Sequence, residues 1–163
     1  MIEGDFVKRE ELLDKIAPCS LICHTCCAYE YGIISQSAKQ LSKSMEGLCE
    51  FYEKHSSNEV ERFKIFQEEL SKYSIGQCSG CRNREHHGCS ISGCFILECT
   101  KEHSVDYCGE CNEFPCDKTQ EIFEEEVHMQ WFEGNQTIKE CGIEAFWEKS
   151  CERPHYKAYK RSR

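Results

Sequence analysis

The sequence predicts a mainly α, small metal-stabilised domain, its helices packed around a cysteine-rich, loop-dominated segment, 78–116, with at most a short hairpin. Three observations predict it. Apolar residues recur at helical spacing over 34–73 and again beyond 117. Eight cysteines fall between Cys78 and Cys116, where few apolar residues accompany them. A length of 163 residues suits one compact domain.

The elements follow in order. A short helix is expected over about 5–16. A first thiol cluster follows: Cys19, Cys23, Cys26 and Cys27. Ile34, Ala38, Leu41, Met45, Leu48 and Tyr52 then form one apolar helical stripe. Val60, Phe63, Phe66, Leu70 and Tyr73 form a second. Asn58 and Glu61 are spaced as a capping pair for it. The two stripes predict antiparallel helices joined by HSSN, 55–58, and SIGQ, 74–77, leads the chain out to Cys78. Past Cys116, Asp117 with Gln120 is positioned to cap a third helix with Phe123, Val127 and Trp131 on one face. EEE, 124–126, is its solvated side. A last helix is expected from about Asn135 to Lys149, with Ile138, Cys141, Ala145 and Phe146 inward. The organisation is a single domain over 1–163. Within it lie a thiol cluster and helical hairpin (17–75), a metal-binding segment (76–117), C-terminal helices (118–150) and a solvated tail (151–163).

Cysteine makes up about 9% of the chain, 15 residues. That is close to the level of a scaffold built on sulfur. Disulfides and metal are the two such scaffolds. The charged stretch MIEGDFVKREELLDKIAP lacks the apolar core of roughly 7–15 residues that marks a signal peptide. A cytoplasmic, reducing setting is therefore expected, where dense thiols mean metal. The odd count also fits disulfides poorly. No run is long and apolar enough for a membrane span, so no membrane is expected.

The formal net charge is −9 with thiols neutral, and each zinc held by four thiolates would add about two more negative charges. Nucleic-acid binding, which needs a positive surface, is thereby disfavoured. The basic tail RPHYKAYKRSR, 153–163, is the exception, and it reads as a frayed terminus.

Cys78-Ser-Gly-Cys81 and Cys108-Gly-Glu-Cys111 each place two thiols on a tight turn. Paired CxxC turns at this separation are a zinc-ribbon-like pattern. Cys89, Cys94 and Cys99 lie between them and Cys116 just after, which makes enough donors for two four-thiol sites. A simple ribbon would group Cys78, Cys81, Cys108 and Cys111. A cross-braced arrangement is equally legal. Cys19-x3-Cys23-x2-Cys26 offers three more thiols, with a helix N-terminus expected beside them. Its fourth donor could be Cys27, His24, a later cysteine or an exogenous group. Cys49 and Cys141 read as small buried hydrophobes and Cys151 as a free thiol. His86-His87 reads as an exposed turn, and the remaining histidines have no partner pattern. No phosphate loop, nucleophile elbow, H-E-x-x-H or calcium loop is present.

APCSLICHTCCAY (17–29), CSGC (78–81) and GCFILECTKEHSVDYCGECNEFPC (93–116) resemble the cysteine-rich prokaryotic family known as domain of unknown function 3795. NQTIKECGIEAFWEK, 135–149, is similar to the closing helix of its longer members. The resemblance implies metal ligands at Cys19, Cys23, Cys26, Cys78, Cys81, Cys89, Cys94, Cys99, Cys108, Cys111 and Cys116. It departs at Ser20, where the family carries glycine. It departs again at Cys89-x4-Cys94, two residues longer than the family spacing, and at Ile96-Leu97, where the family has Ile-Arg. The family is expected to bind metal, and its biochemical role is unassigned. Two to three zinc ions in structural sites are thus expected, in a module that meets an unnamed protein or small molecule. An iron–sulfur redox or sensor protein is the alternative. An enzyme would require an open metal site near Cys19–Cys26, and nothing in the sequence names a catalytic residue.

Overall fold

The computed structural model describes residues 7–83, 89, 91 and 93–160. Among these residues six α-helices carry the fold: α1 (Arg9–Lys15), α2 (Ile33–Ser44), α3 (Leu48–His55), α4 (Val60–Ile75), α5 (Ile96–Glu102) and α6 (Glu125–Ser150). The mainly α expectation holds. Among the described residues no strand forms. Two isolated bridges, Ile16 with Ile22 and Tyr29 with Cys78, replace the short hairpin. No described helix is long and apolar enough to cross a membrane.

The core has two adjoining parts. Leu12 and Ile16 from the first helical segment meet Ile22, Tyr107, Ile138, Ile143 and Phe146. Ala17, Cys19, Ile96, Phe114, Phe123 and Trp131 form the second part, bordered by Cys23, Cys81, Cys108, Cys111 and Cys116. The thiols therefore border a small hydrophobic core.

Helices α2, α3 and α4 contribute little to it. They pack on one another and bury only Ser35, Ala38 and Phe63. Ile33, Leu41, Phe51, Ile65, Phe66, Tyr73 and Ile75 remain exposed. The two predicted stripes are real, but they zip an arm together instead of filling the centre. The first stripe is also not one helix, because the chain turns between Met45 and Gly47, where φ reaches +82°. The Asn58–Glu61 capping pair does not form. Asn58 lies in a 3-10 turn, Ser57–Glu59, and its amide donates to Glu59.

The C-terminal prediction is corrected in the same way. Asp117–Glu121 is a 3-10 turn, and one long helix, α6, replaces the two expected. Gly142, at φ +84°, interrupts α6, a conformation a side chain would resist. Ile138 before the interruption and Ile143 and Phe146 after it face the core, and Cys141 is exposed, contrary to expectation. Glu124–Glu126 are solvated as predicted. The tail is not frayed over 153–160. Thr25 Oγ1 donates to the Arg153 carbonyl (2.9 Å), and His155 Nδ1 to the Ile22 carbonyl (2.9 Å).

Candidate metal centres

Two of the thiol pairs sit on the same local structure. Cys23–Thr25 and Cys108–Glu110 are single 3-10 turns. In each, the next cysteine's N–H returns to the first cysteine's carbonyl: Cys26 to Cys23 (2.8 Å) and Cys111 to Cys108 (3.0 Å). Three residues per turn brings side chains i and i+3 to one side, which is what CxxC needs to aim two sulfurs at one point. Cys78–Cys81 uses a left-handed Gly80 instead, whose N–H reaches Cys78 Sγ (3.4 Å). The helix expected directly after Cys26 is absent, since α2 begins only at Ile33.

The loops are brought together by backbone and by one buried amide. Cys108 N–H donates to the Pro18 carbonyl (3.0 Å), which joins the first cluster to the last. Gln77 and Cys78 N–H both donate to the Ala28 carbonyl (2.9 Å each), which sets Cys78 beside the Cys26–Tyr29 turn. Asn135, fully buried on α6, accepts from Gly109 N–H (2.8 Å) and donates to the Cys19 carbonyl (3.2 Å), Ser20 Oγ (3.1 Å) and the Trp131 carbonyl (2.8 Å). Gly109 lies so close to the Asn135 backbone that a Cβ there would collide with its carbonyl. Ser20 adopts φ +65°, the left-handed conformation that a glycine takes freely. Arg82 donates to the Ile16 (2.9 Å) and Asp106 (2.6 Å) carbonyls and covers the Tyr107 ring, anchoring the chain just past Cys81.

The thiols fall into two groups of electrostatic neighbours. Cys99, Cys108, Cys111 and Cys116 form the compact one and line a cavity of about 30 Å³ with His103, Glu113 and Trp131. Cys19, Cys23, Cys26, Cys78, Cys81, Cys89 and Cys94 form the wider one, with Cys81 felt by Cys19 and Cys23 and itself feeling Cys78, Cys89 and Cys94. Cys108 and Cys111 share their cavity with Cys99 and Cys116, and Cys78 and Cys81 do not line it. Burial, reinforced by neighbouring thiols, pushes Cys81 and Cys108 up to about 12 and raises Cys19, Cys23, Cys89 and Cys99. Among the described residues no three Cys, His, Asp or Glu side chains stand close enough to hold an ion as they are. The thiols are gathered within electrostatic reach of one another, short of bonding reach.

The donor set nevertheless suits a soft ion. Both groups are all sulfur at their centre, and N–H groups point at the sulfurs. Glu113 N–H reaches Cys111 Sγ (3.4 Å), as Gly80 N–H reaches Cys78. The buried Trp131 indole N–H finds no hydrogen-bond partner and lies where it favours the ionised form of Cys108. Such donors stabilise thiolates, the form that binds metal.

Other candidates separate from these groups. His24 packs its ring on Trp147 (5.4 Å) and faces Lys15, which with burial holds it below its ordinary value. Cys27 Sγ meets Tyr156 Oη at 2.9 Å, and Cys26 Sγ meets the same hydroxyl at 3.5 Å. Cys49 and Cys151 are half-buried. His86-His87 lie outside the described residues. Sequence reasoning missed His103, whose Nδ1 meets the Cys99 carbonyl at 2.8 Å and stands 3.8 Å from Cys99 Sγ. The signal was C-x3-H, one helical turn. It also missed Asn135, a lone amide at helical spacing between Trp131 and Ile138.

No curated protein and no solved structure matches the chain. A family model described as "Protein of unknown function (DUF3795)" matches residues 15–121. The match holds both thiol groups and stops before α6, so the likeness expected over 135–149 lies outside it. Covering well over half of the sequence, it makes this chain a member of the DUF3795 family.

Proposed function

We propose that this chain is a metal-binding protein that holds two to three ions through its two thiol groups. Zinc is the ion the donors suit best, and the metal-organised body serves as a recognition module for a protein or a small molecule. One observation supports the reading: six thiols, Cys19, Cys23, Cys81, Cys108, Cys111 and Cys116, belong to or border one small core cluster, and N–H groups reach the sulfurs of Cys78 and Cys111. Buried thiols held together with raised proton affinity gain nothing from one another while protonated. An ion would replace their protons and join the loops, and its binding energy would become folding energy. Cys99, Cys108, Cys111 and Cys116 would hold one ion in a closed, all-sulfur set, as structural zinc sites do. The wider group would hold the rest.

The test is elemental analysis with a visible spectrum, on protein purified with and without air. Two to three zincs per chain and no colour are expected. Absence of bound metal overturns the reading. Brown protein carrying iron and sulfide would replace zinc with iron–sulfur clusters, which also take cysteine sets.

A further inference from the structure

The arm formed by α2 and α4 has two unlike sides. The two helices run antiparallel, with Ser35 Oγ donating to the Ser74 carbonyl (3.1 Å) and Ala38 and Phe63 buried along the seam. Leu41 stands three residues past Ala38, and Phe66 three past Phe63. In an antiparallel pair, the same offset from the seam leads to the same side of both helices. Tyr73, two turns beyond Phe66, continues that side. Leu41, Phe66 and Tyr73 are 44%, 43% and 45% exposed. The opposite side carries Lys39, Lys43, Lys64 and Glu68, all exposed. Helix α3 lies on that charged side, where Glu53 meets Lys64 (3.7 Å). The apolar side is left open.

A helical pair with one apolar side is half of a four-helix packing. Charge says which half completes it. Residues 33–75 hold six basic and seven acidic side chains, so the arm is almost neutral in a chain of net charge −9. Copies of so acidic a chain repel each other least there. The rim of the apolar side is also self-complementary. Arg62 lies four residues before Phe66 and Glu69 three after, both exposed on its outer edge. A two-fold axis across α4 at Phe66 would set Arg62 of one copy against Glu69 of the other, twice. Their present partners, Glu59 and Lys72, lie within one turn in exposed pairs that contribute little. We propose that the chain forms a homodimer through this side of α2 and α4, the two helical pairs stacked as a four-helix bundle. Leu41, Phe66 and Tyr73, nearly half exposed, offer about 250–300 Å² of the roughly 800 Å² that each partner gives to a standard interface. The polar rim supplies the remainder, which suits a dimer that exchanges with its monomer. The inference is independent of the metal-binding reading.

Sedimentation velocity of the full-length protein over about 1–200 µM tests this. Reductant is kept present so that the exposed Cys141 cannot link chains. The mass should rise with concentration from the 19.0 kDa of one chain towards twice that value. Phe66→Glu should hold it at one chain throughout, with the helical circular dichroism signal unchanged. Arg62→Glu sets two like-charged pairs across the axis and should weaken association about tenfold. Adding Glu69→Arg to it should recover the dimer. Lys43→Glu makes the same charge change on the opposite side and should leave association within about twofold. A chain that stays single at the highest concentration overturns the proposal and leaves this side to a helix of another protein. A dimer that survives Phe66→Glu overturns it too, as does a double variant that associates no better than Arg62→Glu alone.

Discussion

Cys99, Cys108, Cys111 and Cys116 crowd around about 30 Å³, while Cys19, Cys81 and Cys94 border about 410 Å³. The two groups are built from the same residue type on similar turns, so the difference comes from what stands around them. The compact group is backed by Trp131 of α6, with the Phe114 ring edge-on to Trp131 at 5.2 Å. The short stretch from Cys108 to Cys116 returns to it after a cis Phe114–Pro115 bond. Cys19, Cys23 and Cys81 of the wider group border the same core cluster, yet Cys19, Cys81 and Cys94 line the larger space with Pro18, Ile96, Leu97 and Glu98.

The largest expected effect separates the groups directly. Cys108→Ser removes a donor from the closed set and from beside the Trp131 indole. It should cost about 3–5 kcal/mol or abolish cooperative folding, the consequence of losing a structural metal. Cys94→Ser, at an exposed position on the cleft, should leave a cooperative thermal transition in circular dichroism. If the Cys94 variant unfolds as completely as the Cys108 variant, the distinction between a closed structural set and an open one fails.

Asn135 is where the groups are joined, and its loss should rank second. Asn135→Ala strands the buried Gly109 N–H and releases the Cys19 carbonyl at once. About 2–4 kcal/mol of destabilisation is expected, since buried polar groups left without partners bear their desolvation cost in full. Chemical denaturation of metal-loaded protein measures it. An effect below about 1 kcal/mol would mean that the two thiol turns are positioned independently of α6.

Much of this was legible in the residues. CxxC spacing was legible as a pair of turns, because three residues per 3-10 turn bring Cys23 and Cys26, and Cys108 and Cys111, to one side. Helical spacing found the arm and both halves of α6. What spacing could not show was which faces meet. The stripe through Ile34, Ala38 and Leu41 looks like core, yet Leu41 is 44% exposed, because α2 packs chiefly on α4 and away from the two core clusters. The stripe through Ile138, Cys141, Ala145 and Phe146 runs across Gly142, where the helix is interrupted, and continuous helical spacing no longer describes the face there. Grouping of thiols depends on contacts more than a hundred residues apart, such as Asn135 to Cys19, and sequence order carries no trace of those.

The smallest effects belong to the tail, which lies beyond the family match and covers only the wider group. Tyr156→Phe removes the hydroxyl that meets Cys26 and Cys27 while keeping the ring on His155 (4.8 Å). A loss of about 0.5–1.5 kcal/mol is expected, with faster alkylation of Cys27 by iodoacetamide and no change at Cys108. Equal acceleration at both thiols would show that the tail acts on the whole fold. His155 adds a pH dependence to the same contact. Burial holds its imidazole below the ordinary value, and the Ile22 carbonyl only partly offsets this. A folded-state value below the unfolded one means that the docked tail is favoured above about pH 6.5 and weakens as pH falls through the folded-state value. Trypsin cleavage after Lys157 should therefore quicken at pH 5.5 relative to pH 7.5, after correction for the protease's own pH dependence on an unfolded peptide. His155→Gln should flatten that difference. If cleavage in the variant follows pH as in the parent chain, the dependence arises at the thiols instead, where protons compete with metal.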